Sequence, residues 1–107
     1  MATDKEYFMY IKEQLSDIDE LSYRAMMGEY IIYSNKKVIG GIYDNRLLVK
    51  PLKSVLDYIK NPEYAIPYNG AKEMVLIDDI DDKEFLNGLL NAISEETGSG
   101  KIFYKRT

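Results

Sequence analysis

The sequence contains neither cysteine nor histidine, and these two absences exclude several kinds of chemistry. Without cysteine there is no disulfide framework and no thiolate nucleophile, as is usual in a reducing compartment. Without histidine there is no Cys/His zinc site, no Ser-His or Cys-His pair, and no ordinary general base near neutral pH. Asp, Glu, Lys and Tyr are left for acid–base catalysis, and each needs a strongly shifted pKa. We therefore expect a protein that is not an enzyme, with no catalytic residues, no cofactor and no metal.

Long apolar runs and a secretion signal are also absent from the sequence. No apolar stretch approaches the ~18 residues of a membrane span. The N-terminus, MATDKEYFMY, lacks a basic region followed by an apolar one. We expect no membrane partner and a cytoplasmic location. With 107 residues, 46% apolar and 30% charged, the chain has the size and composition of one globular domain, residues 1–107.

Apolar residues at helical spacing predict three helices, at about residues 4–16, 53–60 and 81–96. Ser/Thr/Asp followed three residues later by Glu is typical of a capping box, in which each residue bonds the other's backbone N–H. Such pairs open the first and last helices: Thr3 with Glu6, and Asp81 with Glu84.

Runs rich in Tyr, Ile and Val, with a period near two, predict five strands: Tyr23–Ser34, Lys37–Tyr43, Arg46–Lys50, Glu63–Tyr68 and Lys72–Ile77. Gly28 lies inside the first run, where a glycine is typical of a β-bulge. Pro67 restricts the fourth run to a sheet edge or an extended arm. Residues that tolerate positive φ form tight turns between strands: Asn35-Lys36, Asp44-Asn45 and Asn69-Gly70.

The predicted order of elements is α-β-β-β-α-β-β-α. Strands joined by short turns are antiparallel neighbours, and helices cover one face of such a sheet while the other stays open. The sequence therefore predicts an α+β fold, a two-layer α/β sandwich with an antiparallel sheet. Residues 97–107 are expected to form a loose tail, or an added strand if Ile102, Phe103 and Tyr104 pair with a sheet edge.

The segment Tyr23–Pro51, YRAMMGEYIIYSNKKVIGGIYDNRLLVKP, resembles the N-terminal domain of the TfoX/Sxy family. That family shows an Arg-x-Met-aromatic/Met-Gly segment, a short polar turn, a strand of small residues and an Arg-Leu-x-x-Lys strand. The matching positions are Arg24, Met26, Met27, Gly28, Gly40, Gly41, Arg46, Leu47 and Lys50. The later stretch MVLIDDIDDKEFL also looks like the family, so the resemblance covers about residues 5–95.

The resemblance implies a fold similar to that of type III secretion chaperones and a role in bacterial transcription regulation. Named members regulate natural competence genes, as coactivators beside a cyclic-AMP-dependent activator rather than as sequence readers. They carry a second, C-terminal helical domain, so we expect this chain to be a stand-alone N-terminal domain. The expected function is a non-enzymatic protein-interaction module, a competence-type coactivator that acts through protein partners.

Two other functions stay open at this point. The first is a stand-alone dimeric adaptor or chaperone-like binding domain unrelated to competence, because an open sheet face or edge favours association with a second chain. The second is a ligand-binding domain with a tyrosine-lined pocket, since the chain has 10 tyrosines.

The residues of the family signature are interpreted as structural: Arg24, Met26, Met27, Gly28, Gly40 and Gly41. In this interpretation Gly28 forms the bulge, Arg24 pairs with a carboxylate such as Glu29, and Gly40-Gly41 admits a helix that crosses the sheet. The alternative is that the signature forms an edge on which a partner docks.

Charge is unevenly distributed along the chain. Its net value is −4, yet residues 36–60 hold six basic and two acidic residues, a local charge of +4. A candidate partner or nucleic-acid face follows: Lys36, Lys37, Arg46, Lys50 and Lys53. Tyr33 and Tyr43 are near enough in sequence to offer stacking. Because no predicted helix has a basic face, we expect a protein partner, with transcription machinery as the candidate, and no direct nucleic-acid binding.

The acidic run from Asp78 to Asp82 is the remaining candidate site. Clustered carboxylates can hold a hard cation, but this run lacks the spacing of an EF-hand loop. Asp near the first turn of a helix also serves as a cap and interacts favourably with the helix dipole. The second interpretation is preferred.

Overall fold

A computed structural model describes residues 2–98, and within them the chain forms three helices and six strands. In chain order these are α1 (Lys5–Gln14), β1 (Leu21–Met26), β2 (Glu29–Ser34), β3 (Lys37–Ile42), β4 (Leu47–Val49), α2 (Lys53–Tyr58), β5 (Glu63–Ala65), β6 (Met74–Ile77) and α3 (Lys83–Gly98). All neighbouring strands are antiparallel, in the order β1-β2-β3-β4-β6-β5. The predicted α+β fold is confirmed.

The core lies between the helices and one face of the sheet. Its buried residues come from all three helices, from the four strands β2, β3, β4 and β6, and from the segment after α1: Phe8, Ile11, Leu15, Ile18, Ile32, Ile39, Ile42, Leu47, Val49, Val55, Val75, Ile77, Leu86, Leu89, Leu90 and Ile93. Burying each such side chain contributes about 1.5–3 kcal/mol. Phe8 of α1 also stacks on Tyr30 of β2, with ring centroids 3.8 Å apart. These contacts hold the helices on one face and leave the other face of the sheet to solvent and loops.

The predicted strand Tyr23–Ser34 is in fact two strands joined by a hairpin turn. Met27 and Gly28 have φ values of 53° and 85°, as both central residues of a type I′ turn require. Gly28 is therefore a turn glycine, and the bulge predicted there was wrong. The irregular register of this region instead lies between Ile32 and Tyr33, where β2 pairs with β3.

The other predicted turns are present. Asn35 and Lys36 join β2 to β3, and Asp44 and Asn45 join β3 to β4, all with positive φ. Asn69-Gly70 also forms a turn, closed by a hydrogen bond from the Ala71 N–H to the Tyr68 carbonyl. This turn lies inside a longer loop, residues 66–73, rather than directly joining two strands. β5 lies at the sheet edge, as the proline predicts.

Gly40 and Gly41 do not admit a helix, so that interpretation was wrong. A Cβ on Gly40 would clash with the Leu48 carbonyl oxygen on the neighbouring strand. A Cβ on Gly41 would lie 2.6 Å from the Tyr30 carbonyl oxygen and from the Tyr43 ring. Both glycines therefore allow close approach of strand backbone, and Gly41 also makes room for an aromatic ring.

The helix ends differ from the predicted capping boxes. Asp4, not Thr3, precedes α1, and it makes no side-chain cap. Thr3 is buried and instead donates to Glu29 Oε1 at 2.7 Å. At α3 the cap is Asp82 rather than Asp81, since the Phe85 N–H donates to Asp82 Oδ1 at 3.0 Å. Long-range contacts override the local pattern at the first helix, and the second cap is displaced by one residue.

α3 extends two residues beyond its predicted end and includes Thr97, which is buried. The Thr97 hydroxyl lies 2.8 Å from the Ser34 hydroxyl and donates to the Ile93 carbonyl at 2.9 Å. Residue 97 was predicted to begin a loose tail, and this prediction was wrong because Thr97 is a buried part of α3. Ile102, Phe103 and Tyr104 lie outside the described residues. In the part of the chain that is described, no helix combines the length and apolar character needed to cross a membrane.

Candidate functional site

The sheet face opposite the helices carries the candidate site. Side chains alternate along a strand, so those next to core residues such as Ile32 and Val49 point away from the helices. The cross-strand pairs of Arg24 with Ile31 and of Gly41 with Leu48 extend this assignment across the sheet. We call this surface the open face and define it by the following residues: Arg24, Met26, Ile31, Tyr33, Val38, Tyr43, Leu48, Lys50 and Leu76.

A tyrosine row crosses the open face, formed by Tyr33, Tyr43 and Tyr68. The ring of Tyr43 lies over Gly41, and its centroid is 6.0 Å from that of Tyr68 with a 59° tilt. Burial raises the pKa of Tyr43, and the nearby Tyr68, Glu29 and Tyr33 raise it further. The phenol rings of the row can pack against apolar groups, and their hydroxyls can form hydrogen bonds.

Tyr68 reaches this face because the loop of residues 66–73 folds back over the sheet. Arg46 holds the loop: its Nε donates to the Tyr43 carbonyl at 3.2 Å and its Nη2 to the Pro67 carbonyl at 3.4 Å. Pro67 is buried, whereas Tyr68 is 62% exposed. The sequence did not predict Tyr68 as part of a site, since it was assigned to a strand. The adjacent Asn69-Gly70 turn was the available signal that the chain reverses there.

Two cations of the open face have no partner within residues 2–98. Arg24 is exposed and Lys50 is half-buried, and neither forms an ion pair or a side-chain hydrogen bond with the described residues. β1 and β4, which carry them, are about 14 Å apart at the usual strand spacing. Between and beside them lie exposed apolar side chains, Val38 at 39% and Met26 at 45%. The open face thus combines apolar area, phenols and uncompensated positive charge.

The five residues of the predicted basic face are not brought together on one surface. Lys50 lies on the open face, while Arg46 is engaged with the loop at the opposite end of β4. Lys37 turns toward the helices and donates to the Thr97 carbonyl at 2.9 Å, next to Lys36 in the β2–β3 turn. Lys53 belongs to α2 and pairs with Asp57 at 2.7 Å, which raises the pKa of the lysine.

The signature residues at the β1–β2 hairpin are largely exposed. Arg24 does not pair with Glu29 as predicted. Glu29 instead accepts hydrogen bonds from the Thr3 hydroxyl and from the Asp44 N–H. Met27 is 95% exposed at the tip of the hairpin.

Two residues of the acidic run after β6 form hydrogen bonds within the fold. Asp82 caps α3, and Asp81 accepts a hydrogen bond from the Tyr10 hydroxyl, which raises the pKa of that tyrosine. Among residues 2–98, no group of three or more Asp, Glu, Cys or His side chains is arranged to hold a metal ion.

A small pocket of about 190 Å³ lies beside the end of β6. Ile59, Phe85 and Leu76 line it together with the carboxylates of Glu63 and Asp78. Its volume is below the roughly 300–1,000 Å³ of typical small-molecule sites. No tyrosine contributes to its lining, so it is not the tyrosine-lined pocket considered from the sequence.

A Spirochaeta aurantia protein described as "Uncharacterized 12.7 kDa protein in trpE 5'region" is 38% identical over 80 residues, which cover 75% of this chain and 70% of that protein. This chain belongs to the same family as that protein. No family model matches the chain, and no solved structure matches it. The resemblance to the TfoX/Sxy family stays a prediction.

Proposed function

We propose that this protein is a non-enzymatic protein-interaction module of the TfoX/Sxy type, a cytoplasmic coactivator of transcription that acts through a protein partner. The observation that carries the proposal is the pair of cations Arg24 and Lys50, which have no partner among residues 2–98 and lie beside exposed apolar and phenolic groups on the open face. The occupant of this face is an acidic segment of the partner that also bears aliphatic or aromatic side chains.

The physical argument rests on complementarity. Tyr, Met and Arg are enriched in protein interfaces, where Tyr combines apolar area with a hydrogen-bond donor. A partner carboxylate that reaches Arg24 or Lys50 replaces water with a charge-assisted hydrogen bond, without having to displace an ion pair of this chain. The same charges steer an acidic partner toward this face although the whole chain is acidic.

The test begins with capture of partners from the native cell and identification by mass spectrometry. The captured protein is then purified, and its affinity is measured by calorimetry. The double variant R24E/K50E is expected to weaken binding at least roughly tenfold, because both contacts become repulsive. The matched control K5E/K83E makes the same charge change on exposed residues of α1 and α3 and is expected to leave affinity within about twofold.

Equal losses in the two double variants would show a general effect of charge and contradict docking on the open face. The purified protein is also tested for binding to single-stranded and duplex oligonucleotides. Binding that R24E/K50E abolishes would show that the partner is a nucleic acid rather than a protein.

A second candidate is the dimeric adaptor, favoured by the outer edge of β1, which no strand within residues 2–98 covers. β1 pairs along six residues with β2, and unpaired backbone groups at an edge favour addition of another strand. Light scattering distinguishes the candidates: a dimer at micromolar concentration supports the adaptor, and a monomer supports the open face as the interaction surface.

A further inference from the structure

The tip of the β1–β2 hairpin carries an apolar side chain in an unfavourable position. Met27 has a φ of 53°, in the left-handed region, and its side chain is 95% exposed. The left-handed conformation is unfavourable for an L-residue with a Cβ, and exposure means that no apolar burial offsets it. The neighbouring Met26 is also exposed, at 45%.

Two other turns of this chain can be compared with the turn that carries Met27. The two following turns of the meander use Asn35-Lys36 and Asp44-Asn45, all at positive φ. Asn and Asp tolerate this conformation and are solvated well at a turn. The first turn has the same backbone form but carries methionine where the other turns carry Asn or Asp. The fold therefore does not require an apolar residue at position 27.

Hydrogen bonds attach the hairpin end to the N-terminal segment and to the β3–β4 turn. The Thr3 N–H donates to the Gly28 carbonyl at 3.0 Å, and the Thr3 hydroxyl donates to Glu29 Oε1. The Asp44 N–H donates to the same Glu29 oxygen at 3.1 Å, and the Asn45 N–H donates to Thr3 Oγ1 at 3.2 Å. Because these hydrogen bonds fix the backbone that carries Met27, little backbone freedom is lost when the side chain binds, which favours its use as an anchor.

We propose that Met27, with Met26 beside it, inserts into an apolar pocket with a basic rim on a protein partner. The basic rim follows from the carboxylates at this end of the sheet: Glu29 adjoins Gly28, the Asp44 N–H donates to Glu29 Oε1, and Asn45 Nδ2 donates to Asp4 Oδ2. Methionine suits such a pocket because its flexible, polarizable thioether adapts to irregular apolar walls. This inference rests on the proposed function insofar as the partner is a protein.

Two other occupants fit this charge pattern less well. An anionic lipid surface is repelled by the carboxylates near the tip. A second copy of this chain offers a pocket beside β6, but that pocket is lined by Glu63, Asp78 and Asp79, which would face the acidic tip.

The stability of Met27→Asn tests the premise that the fold gains nothing from this side chain. Asparagine at the same φ is expected to raise the midpoint of thermal unfolding or leave it unchanged. A clear decrease would show that methionine supports the fold and would overturn the inference.

The binding test has two steps. A photoreactive methionine analogue at position 27 is first cross-linked to its partner in the native cell. The protein identified in the cross-link is then purified, and its affinity for this chain is measured. Met27→Gln keeps side-chain length and backbone conformation but places an amide in the partner's apolar pocket, so affinity is expected to fall at least roughly tenfold. The matched control is Met9→Gln on α1, where the methionine is 50% exposed, and its affinity is expected to stay within about twofold of wild type.

The following outcomes would overturn the inference: no protein adduct at position 27, equal affinities of the M27Q and M9Q variants, or binding to phosphatidylcholine/phosphatidylglycerol vesicles that M27Q abolishes. Loss of a dimer in M27Q would equally assign the tip to self-association and overturn the inference.

If R24E/K50E weakens partner binding while M27Q does not, the inference about the hairpin tip fails and the proposed function stands. If neither variant changes the affinity, both fail.

Discussion

At the scale of single residues, the tyrosines divide into structural and surface groups. Tyr23 packs edge-to-face on Phe8 with ring centroids 5.6 Å apart, and Lys12 Nζ lies 5.8 Å from the centroid of the Tyr23 ring. Burial raises the pKa of Tyr23 to about 12 from the ordinary value of 10.0. This residue is therefore part of the core between α1 and β1, in contrast to the exposed Tyr68.

The difference between the Tyr23 pKa in the folded chain and its ordinary value predicts a loss of stability at high pH. The unfolded chain releases the Tyr23 proton near pH 10, whereas the folded chain keeps it until about pH 12. The stabilisation is thus complete below pH 10 and is lost as the pH rises toward 12. The urea midpoint of wild type is expected to fall between about pH 9 and 11.5, and that of Tyr23→Phe is expected to fall less.

Tyr64→Phe is the matched control for this titration, because Tyr64 lies on the edge strand and is 46% exposed. It is expected to follow wild type. If Tyr23→Phe shows the full wild-type decrease, the buried phenol is not the source of the pH dependence.

At the scale of elements, the end of α3 is held by polar contacts with the β2–β3 hairpin. Asn35 Nδ2 donates to the Ser94 carbonyl at 3.0 Å, and Lys37 Nζ donates to the Thr97 carbonyl at 2.9 Å. The Thr97 and Ser34 hydroxyls bond each other in a buried position. The last helical turn is therefore fixed by the sheet rather than by its own helix propensity.

Thr97→Val is expected to destabilise the protein by about 1–3 kcal/mol, because the buried Ser34 hydroxyl loses its partner. Thr97→Ser keeps the hydroxyl and is expected to lose less. Urea unfolding followed by circular dichroism measures both variants. Equal stability of wild type and Thr97→Val would place the end of the helix before Thr97, as the sequence had predicted.

Local sequence rules predicted most elements but failed where distant contacts or unusual residues decide. The Asn35-Lys36 and Asp44-Asn45 turns were predictable because their residue types tolerate positive φ. The Met27-Gly28 turn was mistaken for a bulge because methionine is not typical of that conformation. Thr3 was mistaken for a cap because its hydrogen bonds to Glu29 and to the Ile42 carbonyl join residues far apart in sequence.

The candidate site was predictable only in part. Strand alternation places Arg46 and Lys50 on one face and indicates which tyrosines accompany them. It does not show that Arg46 binds the Pro67 carbonyl, nor that the loop carries Tyr68 onto Tyr43. These contacts depend on how a long loop folds over the sheet, which no short-range pattern encodes.

At the scale of the whole molecule, the two layers create two different surfaces. The helices cover one face of the sheet and contribute exposed apolar residues of their own, Met9 and Tyr10 on α1. The opposite face combines exposed methionine and tyrosine with two cations that pair with no other described residue. The central claim is that the open face, rather than the helix layer, contacts the partner.

Oxidative footprinting of the complex tests this claim most directly, because both surfaces carry matched probes. Met26 and Tyr68, on the side of the open face, are 45% and 62% exposed, while Met9 and Tyr10 on α1 are 50% and 41% exposed. The account predicts that binding lowers the oxidation rates of Met26 and Tyr68 severalfold and leaves those of Met9 and Tyr10 unchanged. Protection of Met9 and Tyr10 with Met26 and Tyr68 unprotected would contradict it.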